Sequence, residues 1–272
     1  MIFSFGGGGK GPQLRPMERG DMGAVLRIIS AHDEDDFEEA REELRDDFDG
    51  MFVLAEGGKV VAVTGAHVDP HSEDVVWLSW TYVDPTRQGN GLGRAMFQQL
   101  VEMLRSDGIR KMFINTSDHR EDGEDTYAAA RAFYEKMGAR LEVTLPGYHA
   151  ERESRLTYGL DLAGTPPRND HPAGGALKFI DIEELPETDG GLGLVWEEVE
   201  NAPNPATVDA DLSRWVEEAR RRGARILFAA VPSDLCANLN EPFQATGFTH
   251  HGRLIDYFAP NIHQELGSLR LR

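Results

Sequence analysis

The chain has 272 residues, 40% of them hydrophobic, enough to bury one large core or two modest ones. Its net charge of −19, with a pI near 4.8 and a mean hydropathy of −0.44, argues against nucleic acid held on a generally basic surface; it suits a cationic acceptor or plain solubility. A single cysteine, Cys236, leaves no internal disulfide and fits a reducing cytoplasm, and no apolar run is long enough to span a membrane.

In chain order, the glycines from Gly6 to Gly11 predict a loose arm over residues 1–12. Gln13 to Met17 reads as a short strand. Asp21 is placed to cap a helix with Met22, Val25, Leu26 and Ile29 on one face. A second helix turns Phe37, Ala40, Leu44 and Phe48 inward. Its outer face is an acidic run that includes Asp33, Glu34, Asp35, Asp36, Glu42 and Glu43, either a solvated surface or an attractor for an amine. Met51–Ala55 and Val60–Val68, joined by Glu56-Gly57-Gly58-Lys59, predict a hairpin, and Val75–Val83 extends it into a meander that Asp84-Pro85 closes.

The turn that follows, Arg87-Gln88-Gly89-Asn90-Gly91-Leu92-Gly93-Arg94, joins that strand to a helix carrying Leu92, Ala95, Met96, Leu100, Met103 and Leu104, capped by Gly108. Free amides at a helix start, glycines that admit a bulky group and the cation of Arg94 together make an anion cradle. It is neither of two common phosphate loops. The third glycine comes one residue early for the dinucleotide fingerprint G-x-G-x-x-G, and a Gly-Lys-Ser/Thr sequence is missing. A strand over Ile109–Thr116, a polar segment from Ser117 to Thr126, a helix from Tyr127 to Met137 and strands at Arg140–Leu145 and Arg155–Leu162 complete this half.

Gln88-x-x-Gly91-x-Gly93 resembles the pyrophosphate loop of the GNAT acetyltransferase superfamily, and Ala130-Arg131-Ala132-Phe133-Tyr134-Glu135-Lys136-Met137-Gly138 is similar to a second motif of that family, in the right order and one strand later. The resemblance covers residues 13 to about 163. It implies an α+β fold, a central, mostly antiparallel sheet flanked by helices, and transfer of an acetyl group from acetyl-CoA to a primary amine by direct attack. It also implies coenzyme A contacts from Thr81, Tyr82 and Val83 at the strand end and from Gln88, Gly89, Asn90, Gly91, Leu92, Gly93 and Arg94 in the loop. Tyr134 would touch the cofactor and serve as the acid that protonates the departing thiolate. The acceptor, on this reading, is a small-molecule or peptide amine, and a homodimer is allowed. Two features depart from the family pattern. Trp77, Ser79 and Asn115 stand where relatives carry a base, leaving Glu73, Asp84, His119, another loop residue or water. Tyr127 also replaces an asparagine seven residues before the tyrosine. No histidine set has a zinc-like spacing, so no metal is expected.

Ala163–Ala176, rich in Gly and Pro, reads as a linker, with 164–176 separating a domain over 13–163 from one over 177–272. The second half repeats the first. A helix with Leu212, Trp215, Val216 and Ala219 ends at Gly223, a strand runs over Ile226–Val231, and a short helix with Phe243 closes at Gly247. Leu271 follows Gly247 at the distance at which Leu162 follows Gly138. This predicts a tandem, degenerate copy. Glu200-Asn201-Ala202-Pro203-Asn204-Pro205 offers no cradle, Phe243 replaces Tyr134, and Gly190-Gly191-Leu192-Gly193 opens a strand, so the copy should be inert. The alternative for the whole chain is a non-catalytic CoA-binding or interaction module, which would bind CoA without turnover across a broad amine panel.

Overall fold

Apolar residues in strict succession at Met51, Phe52, Val53 and Leu54 form a strand buried on both faces, around which the first part of the chain assembles. The computed structural model describes residues 11–162, 176–200, 205–236 and 239–272. The predicted arm over 1–12 and the linker over 164–176 lie almost wholly outside them. Contacts divide the chain into two compact units. Among the described residues, one comprises 11–114 with 160–162, and the other comprises 115–159 with everything from 176 onward.

In the first unit, β1 (Gln13–Pro16), β2 (Met51–Glu56), β3 (Lys59–Asp69) and β4 (Ser72–Val83) pair antiparallel in that order. β5 (Lys111–Ser117) joins β4 in parallel. The helices are α1 (Met22–Ser30), α2 (Glu34–Asp46) and α3 (Leu92–Ser106). α1 and α2 bury Val25, Ile28, Ile29, Ala40 and Leu44 against Met51, Val53 and Val63. α3 buries Met96, Phe97, Leu100 and Leu104, each worth about 1.5–3 kcal/mol of apolar burial. Leu162 returns beside β5, its N–H donating to the Arg110 carbonyl at 2.9 Å, and Lys111, buried, meets Asp161 at 2.9 Å. One expectation fails locally. Asp21 stands at the start of α1, yet its carboxylate makes no cap bond to that helix: it accepts from Arg15 at 2.7 and 2.8 Å and from the Glu18 N–H at 2.9 Å, closing the capping box of the 3-10 turn Arg19–Asp21.

The second unit opens with the end of β5. The polar segment folds on itself as β6 (Arg120–Glu121) and β7 (Glu124–Asp125). α4 (Ala128–Lys136) follows, then the hairpin β8 (Arg140–Ala150) and β9 (Glu153–Asp161), longer than the sequence pattern indicated. β5 and β9 each begin in one unit and end in the other. Beyond residue 175 come β10 (Ala176–Glu184), which hydrophobic pattern alone did not single out, and β11 (Gly191–Val199). They are followed by α5 (Pro205–Arg221), β12 (Ile226–Pro232), α6 (Asn240–Thr246), β13 (Thr249–Ala259) and β14 (Ile262–Arg270). The order is β10-β11-β12-β14-β13.

This is the connectivity of the first copy. β3 and β4 are antiparallel and β4 reaches β5 in parallel through α3; β10 and β11 are antiparallel and β11 reaches β12 in parallel through α5. β8–β9 and β13–β14 are the closing hairpins. As expected, Gly190-Gly191 enters strand β11 and not a helix. No described helix is long and apolar enough to cross a membrane.

Candidate functional site

β4 pairs with β5 only from Val75↔Lys111 to Leu78↔Ile114, so Ser79 to Val83 run on past the parallel ladder. Along this stretch β4 also carries a bulge. Its register with β3 steps from Gly65↔Ser79 to Val63↔Tyr82, and Trp80 sits at φ 41°, a conformation that costs a bulky residue about 1–3 kcal/mol. The extra residue brings Tyr82 to the face that carries Trp77 and Ser79, the side covered by α1 and α2. Trp80 Nε1 donates to Glu43 at 3.2 Å, and the Tyr82 hydroxyl donates to Asp36. Burial pushes the Asp36 carboxyl above the usual carboxylate range, against the pull of the Tyr82 hydrogen bond. At the strand's end His32, from the α1–α2 connection, places Nε2 2.8 Å from the Val83 carbonyl, its ring centroid 5.2 Å from that of Tyr82.

The chain then turns through a short 3-10 helix, Pro85–Arg87, capped by Asp84, whose Oδ1 accepts from the Thr86 N–H at 2.9 Å and its hydroxyl at 2.6 Å. Asn90 Nδ2 donates back to the carbonyls of Arg87 (3.0 Å) and Gln88 (3.3 Å), holding the loop closed. Gly89 and Gly91 adopt φ of 77° and 76°, and a Cβ on either would meet nothing within 4 Å. Packing therefore does not demand these glycines; the backbone angle does, and the space above them is open. From residue 89 to 94 no backbone N–H finds an acceptor among the described residues. Leu92 is buried and pins the start of α3, while Gln88 and Arg94 are exposed. Unpartnered amides at a helix start, with the exposed cation of Arg94 in the helix's first turn, are donors of the kind that hold an anion.

In the second unit Tyr134 lies on α4, 9% exposed, its ring edge-on to Phe133 at 5.6 Å. Two of the base candidates are committed elsewhere. Asp84 is the cap just described, held below the usual carboxylate range by its Thr86 hydrogen bonds. His119 Nδ1 lies 3.0 Å from Glu153, which also accepts from Ser117 Oγ at 2.7 Å. Glu73 is near the first residue of β4, roughly 30 Å of strand from Val83. Ser79 Oγ and His67 Nε2 are buried without a partner among the described residues. The sequence did not single out His32 or Asp36; its only hint was the acidic run that contains Asp36. No group of three or more metal-binding side chains gathers among the described residues. Cys236 Sγ donates to the Ser233 carbonyl at 3.3 Å, and burial raises its thiol pKa, so it is no ready nucleophile.

Residues 16–139 match the model of the acetyltransferase (GNAT) family. A curated relative, glucosamine 6-phosphate N-acetyltransferase from Trypanosoma brucei brucei, is 36% identical over 92 residues, 34% of this chain and 46% of the relative. The chain thus spans about half the length of the curated relative it matches. Among solved structures, a GNAT-family protein from Desulfovibrio desulfuricans aligns with 56% of this chain and 99% of its own at 26% identity and a TM-score of 0.49. The ribosomal-protein-S18-alanine N-acetyltransferase of Escherichia coli aligns with 59% and 99% at 22% identity and a TM-score of 0.46.

Proposed function

We propose, from the match of residues 16–139 to the GNAT acetyltransferase family model, that the chain moves an acetyl group from acetyl-CoA to a primary amine. The observation that supports this most is the row of unpartnered amides from 89 to 94 beneath open space at Gly89 and Gly91. In this reading those amides and Arg94 hold the diphosphate of coenzyme A, and Gln88 and Asn90 shape the loop. The backbone of Thr81, Tyr82 and Val83, past the end of the β4–β5 ladder, holds the pantetheine arm. Coenzyme A supplies an acetyl thioester, activated toward nitrogen nucleophiles. Tyr134 protonates the departing sulfur.

The acceptor is a small-molecule or peptide amine. The curated relative is named for a phosphorylated amino sugar. Here α2 brings Asp36 and Glu43 to the bulged end of β4, and like charges repel, so an acceptor without a phosphate suits this chain better. We read residues 13–163 and 177–272 as two copies of one fold, the second without a cradle, and place the protein in the cytoplasm. The test is calorimetric titration with CoA, paired with thiol release from acetyl-CoA over an amine panel. Gly91→Glu, which fills the cradle with a carboxylate, abolishes CoA binding; Tyr134→Phe keeps binding and lowers kcat about 10–100-fold. Unchanged affinity in Gly91→Glu removes the site. Binding without turnover across the panel leaves a non-catalytic CoA-binding module.

A further inference from the structure

We propose that His32 is the general base of this reaction, taking the proton shed by the amine on Nδ1. The inference rests on the acetyl-transfer reading above and names the base that reading lacks. Its ground is the 2.8 Å contact between His32 Nε2 and the Val83 carbonyl. A carbonyl oxygen only accepts, so the ring's proton sits on Nε2, and the lone pair of the neutral imidazole is on Nδ1. Nδ1 has no partner among the described residues, and the side chain is exposed at the end of β4 that leads into the cradle.

Two contacts fix the ring's position: the carbonyl, and the Tyr82 ring at 5.2 Å. Tyr82 is held in turn by its hydroxyl bond to Asp36. Asp36 interacts with this imidazole electrostatically, and Asp33, which follows it directly in the chain, is turned to the N-terminus of α2, where it accepts from the Asp35 and Asp36 N–H groups. The rival bases are at the wrong end of the strand, engaged as a cap, or paired with Glu153. His67, whose Nε2 is buried, lies on β3 opposite Trp77, further back along the strand.

The step balances. The amine nitrogen bonds to the acetyl carbon while the carbon–sulfur bond breaks. Nitrogen's proton passes to His32 Nδ1 and later to water, and sulfur leaves as a thiol with a proton from Tyr134. Two measurements test it. Long-range proton–nitrogen NMR of the free protein should show neutral His32 protonated on Nε2 and bare on Nδ1; a proton on Nδ1 overturns the assignment without any turnover being measured. With an amine that the wild type acetylates, His32→Gln should lose about 10²-fold in kcat with CoA affinity unchanged, and imidazole in the buffer should restore part of the loss in His32→Ala. Undiminished kcat in His32→Gln, or a loss confined to His67→Gln, overturns it. A wild type that turns over no amine overturns the acetyl-transfer reading and this role together; the two failures differ in whether the wild type is active.

Discussion

Asp36 shows how far one residue's chemistry departs from its place in a pattern. In the sequence it is one of a row of acids on a solvated helix face. In the fold it is half-buried, accepts the Tyr82 hydroxyl, and has its carboxyl pKa raised chiefly by desolvation, with Asp33 and Asp35 adding to the rise. A carboxyl whose pKa is higher folded than unfolded contributes stability that is complete below the unfolded value and is lost as pH rises through the folded one. At neutral pH the ionised group therefore costs stability. Asp36→Asn, which removes the charge and keeps an oxygen for Tyr82, should melt at least as high as the wild type at pH 7. Its advantage should vanish as the pH falls below the carboxylate range. Thermal melts across that range check it, and an asparagine variant that is less stable at neutral pH would show that the hydrogen bond outweighs desolvation. Nothing local distinguishes Asp36 from Asp35: which acid is buried depends on where a bulge in β4, over forty residues later, puts a phenol.

Among the elements, the helix ends explain why the second half could be read at all. α3 closes with the Gly108 N–H on the Arg105 carbonyl at 3.1 Å and the Ile109 N–H on the Leu104 carbonyl at 2.9 Å. α5 repeats this with Gly223 on Arg220 and Ala224 on Ala219, α4 with Gly138 on Glu135 and Ala139 on Tyr134, and α6 with Gly247 on Gln244 and Phe248 on Phe243. Each glycine has a left-handed φ, 82° at Gly108, which is why four glycines marked four helix ends in the sequence. At Gly108 a Cβ would meet nothing within 4 Å, so the cost of a side chain is conformational alone. Gly108→Ala should destabilise by about 1 kcal/mol, read by denaturant melts, with CoA affinity unchanged. A neutral result would mean that α3 ends another way. The turn from β4 to α3 was legible for the same reason: a strand end, three glycines and a helix start are consecutive in the chain. The bulge in β4 was not, because it is a mismatch between two strands, and neither strand records the register of the other.

For the molecule as a whole, the hairpin of β8 and β9 is built into the second unit. The Tyr148 ring packs on Phe228 at 4.9 Å, its hydroxyl donates to Glu187, and Arg225 donates to the carbonyls of Gly147 (2.8 Å) and Tyr148 (3.3 Å). The Ile255 N–H donates to Glu142 at 2.7 Å. A chain ending at Leu162 would leave these groups uncovered. It should melt lower than the full chain and aggregate, even though it keeps every residue of both family motifs; light scattering and thermal melts decide, and a monomer of unchanged melting temperature would show that the first copy is self-sufficient. By itself the sequence determined the strands and helices of the first half, the glycine-rich turn between a strand and a helix, and the glycine caps that recur in the second half, because each depends on residues close together in the chain: periodicity, turn glycines and caps. Only the tertiary structure decided which acid is buried, which strand is bulged, and that a histidine from the α1–α2 connection meets the Val83 carbonyl. Those contacts join segments tens of residues apart, and their geometry is set by packing, which composition and spacing do not encode.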